Sequence, residues 1–206
     1  MLIVTYSLVT LSVEQEKTRH VLSALQQRIQ DYAIQSQHRG RPALESILTH
    51  LTQFDVACRQ RNVELYVIPA IRRATQEADS LLAELELFSD LGSNILKSAR
   101  HHLQQDIEHG IHKLKELTDA MGLYCHHLLA RLAKEEKELF PVARRVITSE
   151  EEWFAIAAQF ISHDAELHAY KSSATVHAPA RDEYTQARPY FAAKRGAPML
   201  EAHAHD

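Results

Sequence analysis

Two adjacent glutamates, Glu135 and Glu136, lie one turn before a Phe-Pro pair in the charged run ARLAKEEKELFPVARR, Ala130 to Arg145. Carboxylates so placed either offer oxygen to a metal ion or form the solvated polar face of a helix. Histidine is the other chemically useful type, 14 in the chain, and ARHHLQQDIEHGIHKL concentrates it. On a helix His102, Asp106 and His109 fall at i, i+4 and i+7 on one face, while His101, Gln105, Glu108 and His112 form a second stripe. Either stripe would present two or three ligands suited to a transition metal. Solvated histidines at a helix end are the plainer reading. His126 and His127 precede Glu135 by two turns or more, over about 10 Å along a helix axis, so an unbroken helix keeps them from sharing an ion with it. Cys125 is next to them, but neighbours on a helix point about 100° apart, which excludes a thiolate–imidazole pair. With no Gly-rich phosphate loop, nucleophile elbow or HExxH pattern, the expectation is a protein that is not an enzyme.

These residues sit in a chain of 206 residues, long enough for one domain with a real core or a domain plus a tail. Few glycines and prolines, with abundant Leu, Ala, Glu, Gln and Arg, favour helix. A net charge of −4 argues against nonspecific nucleic-acid binding, which needs a basic footprint. No apolar run approaches the roughly 20 residues that span a bilayer. The opening MLIVTYSLVTLSV lacks the basic leader and cleavage site of a signal peptide. Cys58 and Cys125 form no CxxC motif and read as reduced thiols, so a cytoplasmic location is expected, without membrane or nucleic-acid partners.

Punctuation along the chain divides it into helices. Ser12 with Gln15 fits a capping box that opens a helix reaching about Gln37. A second is expected from about Ala43 to Val67, ended or kinked by Pro69, and a third from near Thr75 past Gly92 to a stop at Gly110. A fourth should cover Ile111 to Phe140, ending at Pro141. Ser149 with Glu152 caps a short fifth that reaches about Ser162. Residues 1–168 then make an all-α, up-down-up-down four-helix bundle with a short fifth helix. Residues 169–206, rich in Pro, Ala and charge, make an irregular C-terminal extension that would wrap the body only through Tyr184, Tyr190 and Phe191. Arg59, Glu64, Pro69, Arg72 and Arg73 recur as Arg131, Glu136, Pro141, Arg144 and Arg145, each 72 residues later. The second and fourth helices thus end alike, which points to two related helical hairpins.

The segment YCHHLLARLAKEEKELFPVARRVITSEEEWFAIAAQF resembles the last part of a hemerythrin-like, or HHE cation-binding, domain, and QRNVELYVIPAIRR resembles the same ending in the second helix. The resemblance spans about residues 10–165 and implies a four-helix bundle with a non-haem di-iron centre. That centre would serve oxygen or nitric oxide binding, sensing, or iron handling. Carried over, the metal ligands would be Glu135, Glu136 and Glu64, with His20 joining if the first helix shifts by one turn. The expected ligand histidines are nevertheless replaced by Gln15, Arg59, Ser89 and Arg131. Without imidazoles, the carboxylates, with Glu84 or Glu86 as further candidates, would repel one another unless neutralised. Arg59 and Arg131 stand where fixed guanidinium charges would do that. Three outcomes stay open from sequence: buried ion pairs with no cofactor, solvent-facing charges, or a carboxylate-rich metal site. The partners implied are a diatomic ligand or a metal ion. The competing class is a metal-free regulatory or protein-interaction module with a protein partner or a homodimer. A carboxylate-bridged iron enzyme would need ExxH pairs that the chain lacks.

Overall fold

The structure, a computed structural model, describes residues 2–34, 40–105 and 111–175, and among these every regular element is helical. In chain order they are α1 (Leu2–Ile34), α2 (Arg41–Cys58), α3 (Ile68–Ala74), α4 (Asp79–Gln105), α5 (Ile111–Lys134), α6 (Phe140–Val146) and α7 (Glu150–Thr175). Single π-helical turns, Val63–Val67 and Glu135–Leu139, lead into α3 and α6. They are 72 residues apart, the period of the sequence repeat, so the two segments share backbone shape as well as residues.

Several helix ends differ from their sequence expectations. Ser12 caps nothing: α1 begins at Leu2, and the Ser12 hydroxyl donates to the Leu8 carbonyl at 3.0 Å. Thr10 and Thr18 likewise donate to Tyr6 and Glu14. Residues 2–11 contain no glycine or proline, and hydroxyls satisfied within their own helix do not stop it. The second helix ends at Cys58, not Val67. Neither Pro69 nor Pro141 ends its helical path. Just before each, the backbone slips to i→i−5 bonds, Ile68 to Val63 and Phe140 to Glu135, and each proline then lies in the first turn of a new helix. A proline there lacks only an N–H that has no helical partner anyway. The third helix starts at Asp79 because Thr75 Oγ1 accepts the Glu77 N–H at 3.1 Å and holds a turn. Gly92 lies within α4; a Cβ there would come within 3.2 Å of the Tyr124 ring, so it serves close packing. Ser149 does cap α7, accepting from the Glu152 N–H at 3.2 Å. That helix then passes Ser162 and enters the expected extension as far as Thr175. Gln37, Gly110, Tyr184, Tyr190 and Phe191 lie outside the described residues.

Packing explains the order of elements. α1 touches α2 and α5, and α4 touches the same two, so these long helices close a ring; α7 lies against α1. Inside are two apolar clusters. One holds Leu22, Tyr32, Leu51, Leu96, Met121 and Leu132. The other holds Leu11, Val67, Leu85, Leu139, Trp153 and Phe160. Each such side chain, when fully buried, contributes about 1.5–3 kcal/mol from area removed from water. Polar residues separate the clusters on every element that crosses between them. Gln15 and Thr18 divide Leu11 from Leu22, Arg61 and Asn62 divide Cys58 from Val63, Ser93 falls between Leu85 and Leu96, and Glu135 between Leu132 and Leu139. The core is therefore two apolar compartments with a polar layer between them.

A buried ion-paired centre as the candidate functional site

Glu135 is the middle of that layer and has no exposed surface; the Arg61 side chain beside it is 2% exposed. Arg61 donates from Nη2 to Oε1 at 2.6 Å and from Nη1 to Oε2 at 2.9 Å, a bidentate pair. Arg131, one turn before Glu135 on α5, adds Nε to Oε1 at 2.9 Å. Gln15 on α1 donates Nε2 to Oε2 at 2.9 Å and to the Leu132 carbonyl at 3.3 Å. Glu64 completes the set, accepting from Arg61 Nη2 at 3.2 Å and from Arg131 Nη2. The remaining guanidinium groups anchor to backbone, Arg61 Nε to Cys58 and Arg131 Nη1 to Leu85. Charge-assisted, bidentate bonds of this kind are the strong class, and they let charges survive burial.

The electrostatics follow from the contacts. Burial pushes the Glu135 carboxyl up, but the opposing charges and hydrogen bonds of Arg61 and then Arg131 outweigh it and hold the carboxyl below its usual range. Burial works against the Arg61 charge too, and Glu135 more than restores it. Beside the centre, burial pushes the Cys58 thiol up to about 12.

The sequence candidates part company here. Glu135, Glu64, Arg131 and Gln15 meet at the centre. Glu136 does not; 54% exposed, it pairs with Arg19 at 2.6 Å on the surface. His20 is exposed on α1 and stays outside. Glu84 pairs with Lys134 and Glu86 with Arg72, both at the surface. Arg59 fails as the second neutralising charge: it is half-exposed and bonds Ser93, Asp90 and the Ser89 carbonyl. The 72-residue repeat aligned Arg59 with Arg131, yet Arg61 does the work. α2 ends at Cys58, and a turn with Gln60 N–H bonded to Ala57 at 2.9 Å re-aims the chain before the π-helical turn. The i, i+3 spacing of Arg61 and Glu64 was the available signal. In the other cluster, His101 and His102 are exposed in the last turns of α4, and Asp106 and His109 lie outside the described residues. His126 is exposed, and the His127 ring lies 6.2 Å from that of Phe88.

The donor set does not fit a metal ion. Among the described residues no three His, Cys, Asp or Glu side chains gather as ligands. Both Glu135 oxygens already accept guanidinium N–H bonds. The two buried arginines balance the two glutamates, so a divalent cation would bring two uncompensated positive charges into a water-poor layer. Effective penalties there reach several kcal/mol per ion. Comparisons with protein-family models, curated proteins and solved structures gave no match.

Proposed function

We propose that this chain is a hemerythrin-like four-helix bundle in which Arg–Glu ion pairs stand where that family holds its iron, and that it acts as a regulatory or protein-interaction module. α1, α2, α4 and α5 form the up-down-up-down body, and α3, α6 and α7 close one end. The ring of helix contacts and the paired π-helical turns support this arrangement. The observation that carries the metal-free reading is Glu135, with both oxygens taken by Arg61 and one also by Arg131. Binding through a helix face is supported by Leu2, Tyr6, Val9 and Val13, which are exposed along α1 at spacings of four, three and four residues.

The test is metal analysis with a near-ultraviolet and visible spectrum, on full-length protein expressed in iron-replete medium. The expected result is iron far below one per chain and no charge-transfer bands. Iron at about one or two per chain, with oxo-bridged charge-transfer absorption, would overturn the reading.

A further inference from the structure

The outward side of α1 carries an apolar stripe that the body of the protein does not use. Leu2 is 89% exposed and Tyr6, Val9 and Val13 are about half-exposed, whereas Ser7, Leu11, Gln15 and Thr18 on the same helix are buried. At about 100° per residue Leu11 stands half a turn round from Leu2, so the stripe faces away from the core. Spacings of four, three and four residues are those of a coiled-coil seam, here about 17 Å long at about 1.5 Å per residue. From Leu2 to Val13 there is no Asp, Glu, Lys, Arg or His. The Thr10 and Ser12 hydroxyls already donate to carbonyls of their own helix, each at 3.0 Å, so covering them strands no donor.

We propose that this stripe is a self-association surface, on which a second copy of the chain lays its own α1 antiparallel, about a two-fold axis level with the Ser7–Leu8 peptide. The proposal rests on, and narrows, the reading of the protein as an interaction module. Spacing chooses the occupant. Four, three, four reads the same backwards, so an antiparallel copy meets the stripe in register, Leu2 against the partner's Val13 and Tyr6 against the partner's Val9. Charge chooses the direction. Glu16, exposed, is the next seam position after Val13. A parallel copy would set the two Glu16 carboxylates against each other, whereas the antiparallel register leaves each one past the end of the opposite stripe. A lipid surface fits less well, because it favours Lys or Arg beside the apolar face and the first charges after the stripe are Glu14 and Glu16. Four side chains per copy make a small interface, near or below roughly 1,200 Å² in total, so the dimer is weak and forms with concentration.

The test is sedimentation equilibrium of the full chain, from micromolar to millimolar concentration, beside four variants. The weight-average mass of the native protein should climb from one chain towards two. Val9→Glu enters the seam twice and should weaken association by about tenfold or more. Val9 is exposed, so an unchanged urea midpoint shows that the variant still folds. Leu123→Glu, exposed on α5 outside the stripe, is the control and should dimerise as the native chain does. Leu2→Glu with Val13→Lys sets opposite charges across an antiparallel seam and like charges across a parallel one. It should therefore dimerise more tightly than Leu2→Glu with Val13→Glu. One chain at every concentration overturns the proposal and leaves the stripe to a different protein. A dimer that survives Val9→Glu or yields to Leu123→Glu also overturns it, and equal association of the two double variants refutes the antiparallel register. Bound iron would defeat the metal-free reading whatever the mass, whereas an iron-free monomer would defeat this proposal alone.

Discussion

Replacing Glu135 with Gln tests the polar layer most directly. The carboxylate accepts four hydrogen bonds, two from Arg61 and one each from Arg131 and Gln15. An amide keeps one acceptor oxygen, turns the other into a donor facing donors, and removes one of the two negative charges that balance the buried guanidinium groups. Removing one partner of a buried pair costs about 3–5 kcal/mol. A domain of this size stands only about 5–15 kcal/mol above its unfolded state, so the loss is a large fraction of the total. In thermal unfolding it corresponds to a fall of roughly 6–20 °C, at about 2–4 °C per kcal/mol for a chain of this length. The assay is urea unfolding at neutral pH, with an unchanged m-value as the check that the two-state description holds. Glu136→Gln is the internal control, because its pair with Arg19 is exposed and should cost less than about 1 kcal/mol. A second arm replaces the pair with apolar groups, Glu135→Leu with Arg61→Met. It should recover much of the loss, since such swaps are often neutral or stabilising. If Glu135→Gln loses no more than Glu136→Gln, the buried pairing is refuted.

Three further outcomes follow from the same contacts and burial. Because the Glu135 carboxyl is held below its usual range, its contribution should be complete above the unfolded-state value of about 4.3 and be lost as pH falls through the folded one. Urea midpoints measured from pH 7 to 3 should thus drop in acid for the native chain and drop less for Glu135→Gln, and parallel curves would contradict this. The glycines should behave oppositely: Gly122 in α5 has open space around it, and Gly122→Ala should stabilise by about 0.5–1 kcal/mol. Gly92→Ala pushes on the Tyr124 ring and should instead cost about 1 kcal/mol or more by thermal unfolding, so a stabilised Gly92→Ala would refute the close packing. Burial pushes both the Cys58 and the Cys125 thiols up to about 12, so at pH 8 a thiol-specific reagent should label neither until the chain is unfolded. Fast labelling of the native protein would count against this burial.

What was legible in advance was local. Arg131 and Glu135 are four apart on one helix, so their contact follows from helix geometry once both are helical. Ser149 with Glu152 marked a helix start that the backbone confirms. The 72-residue recurrence marked two segments that do share a π-helical turn and a proline-led helix. The start of α1 was not legible, since a serine that bonds its own preceding turn looks in sequence like a serine that caps one.

The amino-acid order alone determined that the chain is helical, that a helix opens after Ser149, and that Arg131 and Glu135 lie one turn apart along one helical path. All of these depend on neighbours within about one turn. Tertiary structure alone decided that Glu135 turns inward while Glu136 turns out, and that Arg61 rather than Arg59 meets it across 74 residues of chain. Those choices hang on the short turn after Cys58 and on which helix faces which. A one-residue change of phase moves a side chain by about 100° around the axis, enough to carry a charge from the core to water.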